Sequence, residues 1–238
     1  ILQLPEKIAI EKGIQIVICI DEFQQISDFE DSKTFQKKLR SVWQLQQHVS
    51  YCLFGSKKHL MNELFEKKNL PFYKFGDAIY LAKIETKYWI EYICKRFENT
   101  GKHISPELAE EICRLVDNHS SYVQQLSWLL WIRTINTATT EQLSYALEDL
   151  LDQNNILFQS ETENLSAYQM NFLKAIVDGI HTKFSSKEVI SKYNLGTSAN
   201  IVRLKNALLQ KELIETNGKE IVLADPVFEV WFKKEMLY

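Results

Sequence analysis

One stretch constrains this chain more than any other: Ile14-Gln15-Ile16-Val17-Ile18-Cys19-Ile20, an apolar run rich in β-branched residues and closed by Asp21-Glu22-Phe23-Gln24. β-Branched side chains suit a pleated strand, and a near-continuous apolar run predicts burial on both faces of a parallel sheet. A second such run, Val49 to Phe54, ends at Gly55-Ser56. Between them, residues 32–48 place Phe35, Leu39, Val42, Trp43 and Leu45 as the apolar stripe of a helix. A short helix over 2–12, closed by Gly13, precedes the first run. A helix over 57–68 and a third short strand, Ala78-Ile79-Tyr80-Leu81, follow the second. Strand, helix, strand, helix, strand is the grammar of an open α/β sheet.

Beyond residue 85 the pattern turns helical. Ser105 with Pro106 and Glu107 reads as a helix start, and Thr139-x-x-Gln142 as a capping box. The polar run Gln159 to Asn164 reads as a linker. After it, Ser166-x-x-Gln169 and Ser185-x-x-Glu188 cap two helices, and Ser198 caps a third that runs to Lys211. Leu213 to Thr216 and Glu220 to Leu223 flank Asn217-Gly218, a strong hairpin signal. Three helices and a hairpin predict a winged helix-turn-helix. The chain therefore divides into 1–84 (sheet), 85–158 (all-α) and 162–238 (winged helix), and is helix-dominated overall.

Composition narrows the class. With 45% hydrophobic residues in 238, the chain can bury a sizeable core. A net charge of −3 gives no overall basic field to draw in nucleic acid. Cys19, Cys52, Cys94 and Cys113 form no CxxC pair and read as reduced, buried thiols of a cytoplasmic protein. His48, His59, His103, His119 and His181 are scattered, with no metal-ligand spacing. No run approaches the ~18 apolar residues of a membrane helix, so no membrane partner is expected. The chain opens without an initiator Met, inside an apparent helix, and reads as a piece of a longer protein.

Asp21-Glu22 at the carboxyl end of a parallel strand sits where open α/β sheets bind ligands. A carboxylate there can hold Mg²⁺ through water, and a neighbouring glutamate can orient and deprotonate an attacking water. Gly55-Ser56, one helix later, puts a hydroxyl at the adjacent strand end. The segments Ile18 to Gln24 and Leu53 to Ser56 resemble the archaeal-type ATPase family of the STAND/AAA+ P-loop group. So do Pro71-Phe72-Tyr73 with Gly76, Asn118 to Gln124, and Asp225-Pro226-Val227-Phe228-x-x-Trp231. The resemblance covers essentially the whole chain. It implies an α/β P-loop core, a helical lid over 85–158 and a terminal winged helix. It also implies ATP and Mg²⁺ as cofactors, with Asp21 on Mg²⁺, Glu22 as catalytic base and Ser56 as the sensor of the γ-phosphate; it is compatible with an oligomer and does not fix the oligomeric state.

Two departures matter. A phosphate-binding loop needs G-x-x-x-x-G-K-[ST]. Only Gly101 and Gly218 precede a lysine, and neither has a glycine five residues upstream. The chain by itself is therefore expected to bind ATP weakly or not at all, because backbone amides and the lysine of that loop supply most of the grip. The lid stretch Ser120-Ser121-Tyr122 also lacks the arginine that many relatives carry; Arg114 reads as a helix-face residue, and Lys74 is a weak candidate for a contact in trans.

In the terminal block, Ile201, Leu204 and Leu208 make the buried side of the third helix. Asn200, Arg203, Lys205 and Asn206 make its outer side, able to meet DNA or a protein partner. Ten Lys+Arg against nine Asp+Glu over 162–238 leave a net charge of +1, which favours a protein or regulatory contact over DNA. Phe228, Trp231 and Phe232, and Trp128 with Trp131, are expected to pack in cores.

Overall fold

The computed structural model describes residues 1–237, with the side chains of Lys58, His59 and Leu237 outside the description. The expectation for His59 therefore lies outside the described residues. The chain forms two compact units, Ile1–Leu81 and Ala82–Tyr238.

In the first unit, α1 (Leu4–Lys12) stops at Gly13, whose φ of 62° is the left-handed conformation that ends many helices. β1 (Ile16–Ile20) pairs in parallel with β2 (Val49–Leu53), in register from Ile16↔Val49 to Ile20↔Leu53. A 3-10 helix (Phe23–Asp28) and α2 (Ser32–Trp43) connect them, and α3 (Lys58–Glu66) follows. Aromatic side chains dominate the core. Phe23 meets Phe72 edge-on at 5.4 Å, and Trp43 stacks on Tyr51 at 4.0 Å. Each such pair adds about 0.5–1.5 kcal/mol beyond simple area burial.

Three expectations for this unit are corrected. The sheet is not buried on both faces: Ile16, Ile18 and Ile20 are partly buried, whereas Val17 and Cys19 are exposed, as are Ser50 and Cys52 on β2. The aromatic core meets only the face that carries Ile20, Tyr51 and Leu53. Consequently Cys19 and Cys52 are exposed, Cys94 is partly buried and only Cys113 is fully buried; all four thiols are free. Second, α2 ends at Trp43. Leu45 lies beyond it at 75% exposure, Phe35 is 38% exposed, and Gln36 is buried in its stead, donating to Ser32 Oγ at 2.9 Å. Third, Ala78 to Leu81 is not a strand. A four-residue run becomes a strand only by pairing with a sheet edge. Here Tyr80 Oη instead lies 3.0 Å from Asn62 Oδ1 and 3.1 Å from Glu66 Oε1 on α3, and Ile79 and Leu81 point to solvent.

The second unit holds α4 (Thr86–Glu98), α5 (Pro106–Leu115), α6 (Ser120–Arg133), α7 (Thr140–Glu163), α8 (Ala167–Val177), α9 (Lys187–Tyr193), α10 (Ser198–Gln210), β3 (Ile214–Asn217), β4 (Glu220–Leu223) and α11 (Pro226–Leu237). One continuous apolar core runs from Trp89 on α4 to Phe232 on α11. The capping boxes form as expected: Thr139 Oγ1 accepts from Gln142 N, Ser166 Oγ from Gln169 N, and both glutamines reach back. Ser105 Oγ accepts from Leu108 N at 3.2 Å.

Local chemistry misplaced four features here. Of the linker expected over 159–164, residues 159–163 are the last turn and a half of α7, and Asn164 is its C-cap. Its inner side carries Phe158, 1% exposed and 5.3 Å from Phe228, and the buried Thr162, so tertiary packing extends a helix that composition alone suggested would end. Ser186, not Ser185, caps α9, accepting from Val189 N at 3.3 Å. Thr197 precedes α10, and Ser198 is its first helical residue. Asn217 is the last residue of β3, paired with Glu220, so the turn is Gly218-Lys219. Gly218 has φ 62°. Positive φ at the first turn residue only is the dihedral pattern of a type II′ hairpin.

Phe228, Trp231 and Phe232 pack in the core as expected, and the Trp231 indole donates to Asn155 Oδ1 on α7 at 2.8 Å. Trp131 packs too, whereas Trp128 is 56% exposed because it lies on the outer side of α6. No helix among the described residues is long and apolar enough to cross a membrane.

Candidate functional site

The ladder between the parallel strands continues past their ends. Phe54 N donates to Ile20 O at 3.1 Å, and Phe23 N donates back to Phe54 O at 3.0 Å. These two bonds place residues 21–24 beside 54–56. Phe23 turns into the aromatic core, 5% exposed, and Glu22 is carried to the outside. Glu22 adopts φ 48°, a left-handed conformation that a non-glycine residue seldom takes. Its N–H is held by Asp21 Oδ1 at 2.8 Å.

The Glu22 carboxylate then collects donors. Ser56 Oγ donates to Oε1 at 3.1 Å and lies 3.4 Å from Oε2, Ser56 N donates at 3.4 Å, and Gln24 Nε2 also donates. The Gln24 amide, then the Ser56 hydroxyl, hold this carboxyl below the usual glutamate range. Glu22 therefore stays ionised at neutral pH. Asp21 is exposed, and its second carboxylate oxygen has no hydrogen bond among the described residues.

Sequence reasoning placed Asp21, Glu22 and Ser56 at one edge, and the structure brings Glu22 and Ser56 into direct contact. It missed Gln24 and Gly55. Gln24 is 2% exposed and orients Glu22 from beneath. A Cβ on Gly55 would stand 1.8 Å from Gln24 Oε1, so only glycine fits there without displacing that amide. The signal was present as Gly55 itself, but a glycine beside a serine reads equally as a turn.

Mg²⁺ favours oxygen ligands and is usually bound through one or two carboxylates, waters and substrate phosphates. Asp21 beside Glu22 fits the carboxylate part of such a site. Among the described residues no group of three or more His, Cys, Asp or Glu side chains gathers around a common metal position.

The other candidates sit elsewhere. Lys74 is exposed, with φ 52°, its ammonium 5.6 Å from the Tyr73 ring. Nearby, Arg40 of α2 donates to Pro71 O and, at 3.2 Å, to Tyr73 O, which pins that loop to the unit. Arg114 pairs with Glu111 on an exposed helix face, as its reading anticipated. Tyr122 on α6 is structural: its hydroxyl donates to Asp225 Oδ2 at 2.5 Å, and burial pushes the phenol's pKa up. Asp225 is at the same time the cap of α11, its Oδ1 accepting from Val227 N at 2.7 Å and Phe228 N at 2.9 Å.

On α10, Arg203 and Asn206 are exposed and Lys205 is partly buried. Asn200 is committed inward, its amide donating to Leu195 O at 3.0 Å. Val202, which sequence reasoning did not mark, is 61% exposed beside Arg203. His181 O accepts from Ile221 N at 2.9 Å, which adds a strand-like contact to the hairpin.

Residues 156–234 match the family model described as a probable winged helix domain. No curated protein matches the chain. Among solved structures, the Walker-type ATPase of Pyrococcus abyssi superposes with a TM-score of 0.73 at 17% identity, over 96% of this chain and 66% of that one. The RuvB Holliday junction branch migration motor of Thermotoga maritima gives 0.45 at 13% identity, over 97% and 73%. The ORC1 protein of Aeropyrum pernix in complex with DNA gives 0.45 at 11%, over 95% and 66%. The last two likenesses are too loose to bear on this chain. The chain spans just under two thirds of the Pyrococcus protein. It thus shares the fold of a Walker-type ATPase over nearly its whole length and carries a winged helix at its C-terminal end.

Proposed function

We propose that this chain is the C-terminal portion of an ATP-binding AAA+/STAND-type ATPase, in which 1–84 contributes half of the nucleotide site, 85–158 forms the lid and 162–238 is a winged-helix module. The observation that carries the reading is the hydrogen bond from Ser56 to Glu22 across the ends of two parallel strands, with Asp21 exposed beside it. The fold likeness to a Walker-type ATPase supports it.

Bound Mg-ATP supplies the phosphoanhydride and a cation that neutralises phosphate charge. The chain's own residues do the rest. Asp21, with one carboxylate oxygen not hydrogen-bonded among the described residues, would hold the cation through water. Glu22, held ionised, accepts a hydrogen bond from the attacking water and then its proton. Gln24 and Ser56 fix the direction in which that carboxylate points, and Ser56 also carries the sensor role. The 238-residue sequence holds no glycine loop and lysine of the kind that grips phosphate, so the chain alone is expected to bind Mg-ATP weakly or not at all; micromolar affinity by calorimetry would overturn that. In the full-length protein, Glu22→Gln retains nucleotide and loses turnover; unchanged turnover would remove Glu22 from this role.

For the winged helix, the favoured reading is a protein or regulatory contact through α10. The specific observation is Val202, 61% exposed beside Arg203 and Asn206, in a region of net charge +1. DNA readers usually show a clearer basic footprint. A gel shift at low salt decides: a duplex complex that Arg203→Ala/Lys205→Ala abolishes would establish DNA binding instead.

A further inference from the structure

Charge is segregated along the second unit. α7 carries six acidic residues and no basic one, and no lysine or arginine occurs from Thr134 to Leu173. Glu141, Tyr145, Glu148, Asp152, Ile156 and Glu163 follow one another at steps of three, four or seven residues, close to whole turns of a helix. They therefore form one stripe. All six are exposed, Ile156 at 82%, whereas Leu143, Ala146 and Leu150 on the opposite side are buried. Glu148 and Asp152 lie one turn apart with like charge, which destabilises a helix. Asp149, beside the stripe, is neutralised by Arg133; among the described residues no ion pair reaches Glu148, Asp152 or Glu163.

The winged helix is divided the other way. Its net charge of +1 is an average: residues 181–219, from the loop before α9 to the wing, hold seven Lys+Arg against three Asp+Glu, a net +4, and the rest of 162–238 holds three against six. Lys183, Lys187, Lys192, Arg203 and Lys219 are exposed, and Lys205 is partly buried. On α10, Val202 is exposed beside Arg203 and one turn from the exposed Ala199. Among the described residues neither Arg203 nor Lys205 makes an ion pair. Both faces belong to helices of one unit with a continuous core, and neither is a face of the β1–β2 sheet.

We propose that the α10 face of one copy docks on the acidic α7 stripe of a second copy of this chain, head to tail. This docking presupposes that α10 meets protein, the reading favoured above. Arg203 and Lys205 supply cations for Glu148 and Asp152, and Val202 with Ala199 gives Ile156 an apolar neighbour. Duplex DNA satisfies only the basic face, whereas a second copy satisfies both. Two different faces meet, so each copy keeps one of each kind open and copies add in a ring or a row. Exposed ion pairs are individually weak and are screened by salt, so the association is reversible and confined to low ionic strength.

Sedimentation velocity of the 238-residue chain tests this at about 0.01 M salt, where the Debye length is about 30 Å, and at about 1 M, where it is about 3 Å. The expected result is association that grows with protein concentration at low salt and is lost at high salt. Glu148→Lys/Asp152→Lys and Arg203→Ala/Lys205→Ala disable one face each, and circular dichroism checks that both variants fold. Each alone self-associates roughly tenfold more weakly than wild type, the contribution of two exposed ion pairs. Mixed in equal amounts they form a one-to-one dimer that does not grow, because the first keeps its α10 face and the second its α7 stripe. Association that both variants retain, a mixture no heavier than its parts, or a wild-type chain that stays single at low salt would each overturn the docking. A gel shift then separates the two readings. A duplex complex abolished by Arg203→Ala/Lys205→Ala removes the protein contact as well, whereas no duplex complex leaves α10 to a different protein.

Discussion

Gly55→Ala tests the geometry of the site without touching its charged groups. The new methyl would stand 1.8 Å from Gln24 Oε1 and 2.9 Å from Gln24 Cδ, so the amide must move. Gln24 has little room, being 2% exposed, and moving it withdraws a donor from Glu22. Overpacking of this kind costs about 1–3 kcal/mol. That is a ~5- to 150-fold rise in the opening equilibrium. Hydrogen exchange of the β1 and β2 amides, read by mass spectrometry, measures the opening of this unit directly. The decisive arm is Gln24→Ala. Without the amide, the alanine at position 55 meets no such obstacle, and the added cost should vanish. If Gly55→Ala leaves exchange unchanged in the wild-type background, or accelerates it equally in the Gln24→Ala background, the steric argument fails.

Other outcomes follow from the same contacts. Because Gln24 and Ser56 lower the folded pKa of Glu22, their stabilisation of the carboxylate is present above the ordinary glutamate range and is lost as pH falls through the lowered value. Ser56→Ala should therefore move the Glu22 carboxyl titration upward by NMR, and an unmoved titration would show that the serine does not set it. Tyr122→Phe removes a hydrogen bond to a charged acceptor and should cost about 1.5–3 kcal/mol, measured as a lower melting temperature; a smaller loss would mean that Asp225 holds α11 by its capping bonds alone. Ser166→Ala deletes a capping box and should cost about 1 kcal/mol in urea unfolding, against no change for the exposed Ser198→Ala.

Much of the secondary structure is written in short-range chemistry. The caps at Ser105, Thr139 and Ser166, the glycine stop at Gly13 and the two parallel runs depend on residues within a few positions of one another, so they can be read directly. Asp21, Glu22 and Ser56 were legible for a related reason. A strand end in an α/β sheet is a fixed address, and polar residues there stand out against the apolar run before them.

What only the tertiary structure decided depends on partners far away in sequence. Residues 159–164 look like a linker by composition, yet 159–163 are helical because Phe158 packs on Phe228 and Trp231. Ala78 to Leu81 has strand propensity but does not pair with the β1–β2 sheet, and Tyr80 fastens it to α3. An apolar run signals that a strand is present but not how many of its faces are covered, which is why Cys19 and Cys52 came out exposed. The sequence by itself determined the order of elements and the residues at the strand ends, because those follow from local periodicity and caps. The direct contact of Ser56 with Glu22, and the amide of Gln24 filling the space that Gly55 leaves open, required the chain to bring together positions more than thirty residues apart.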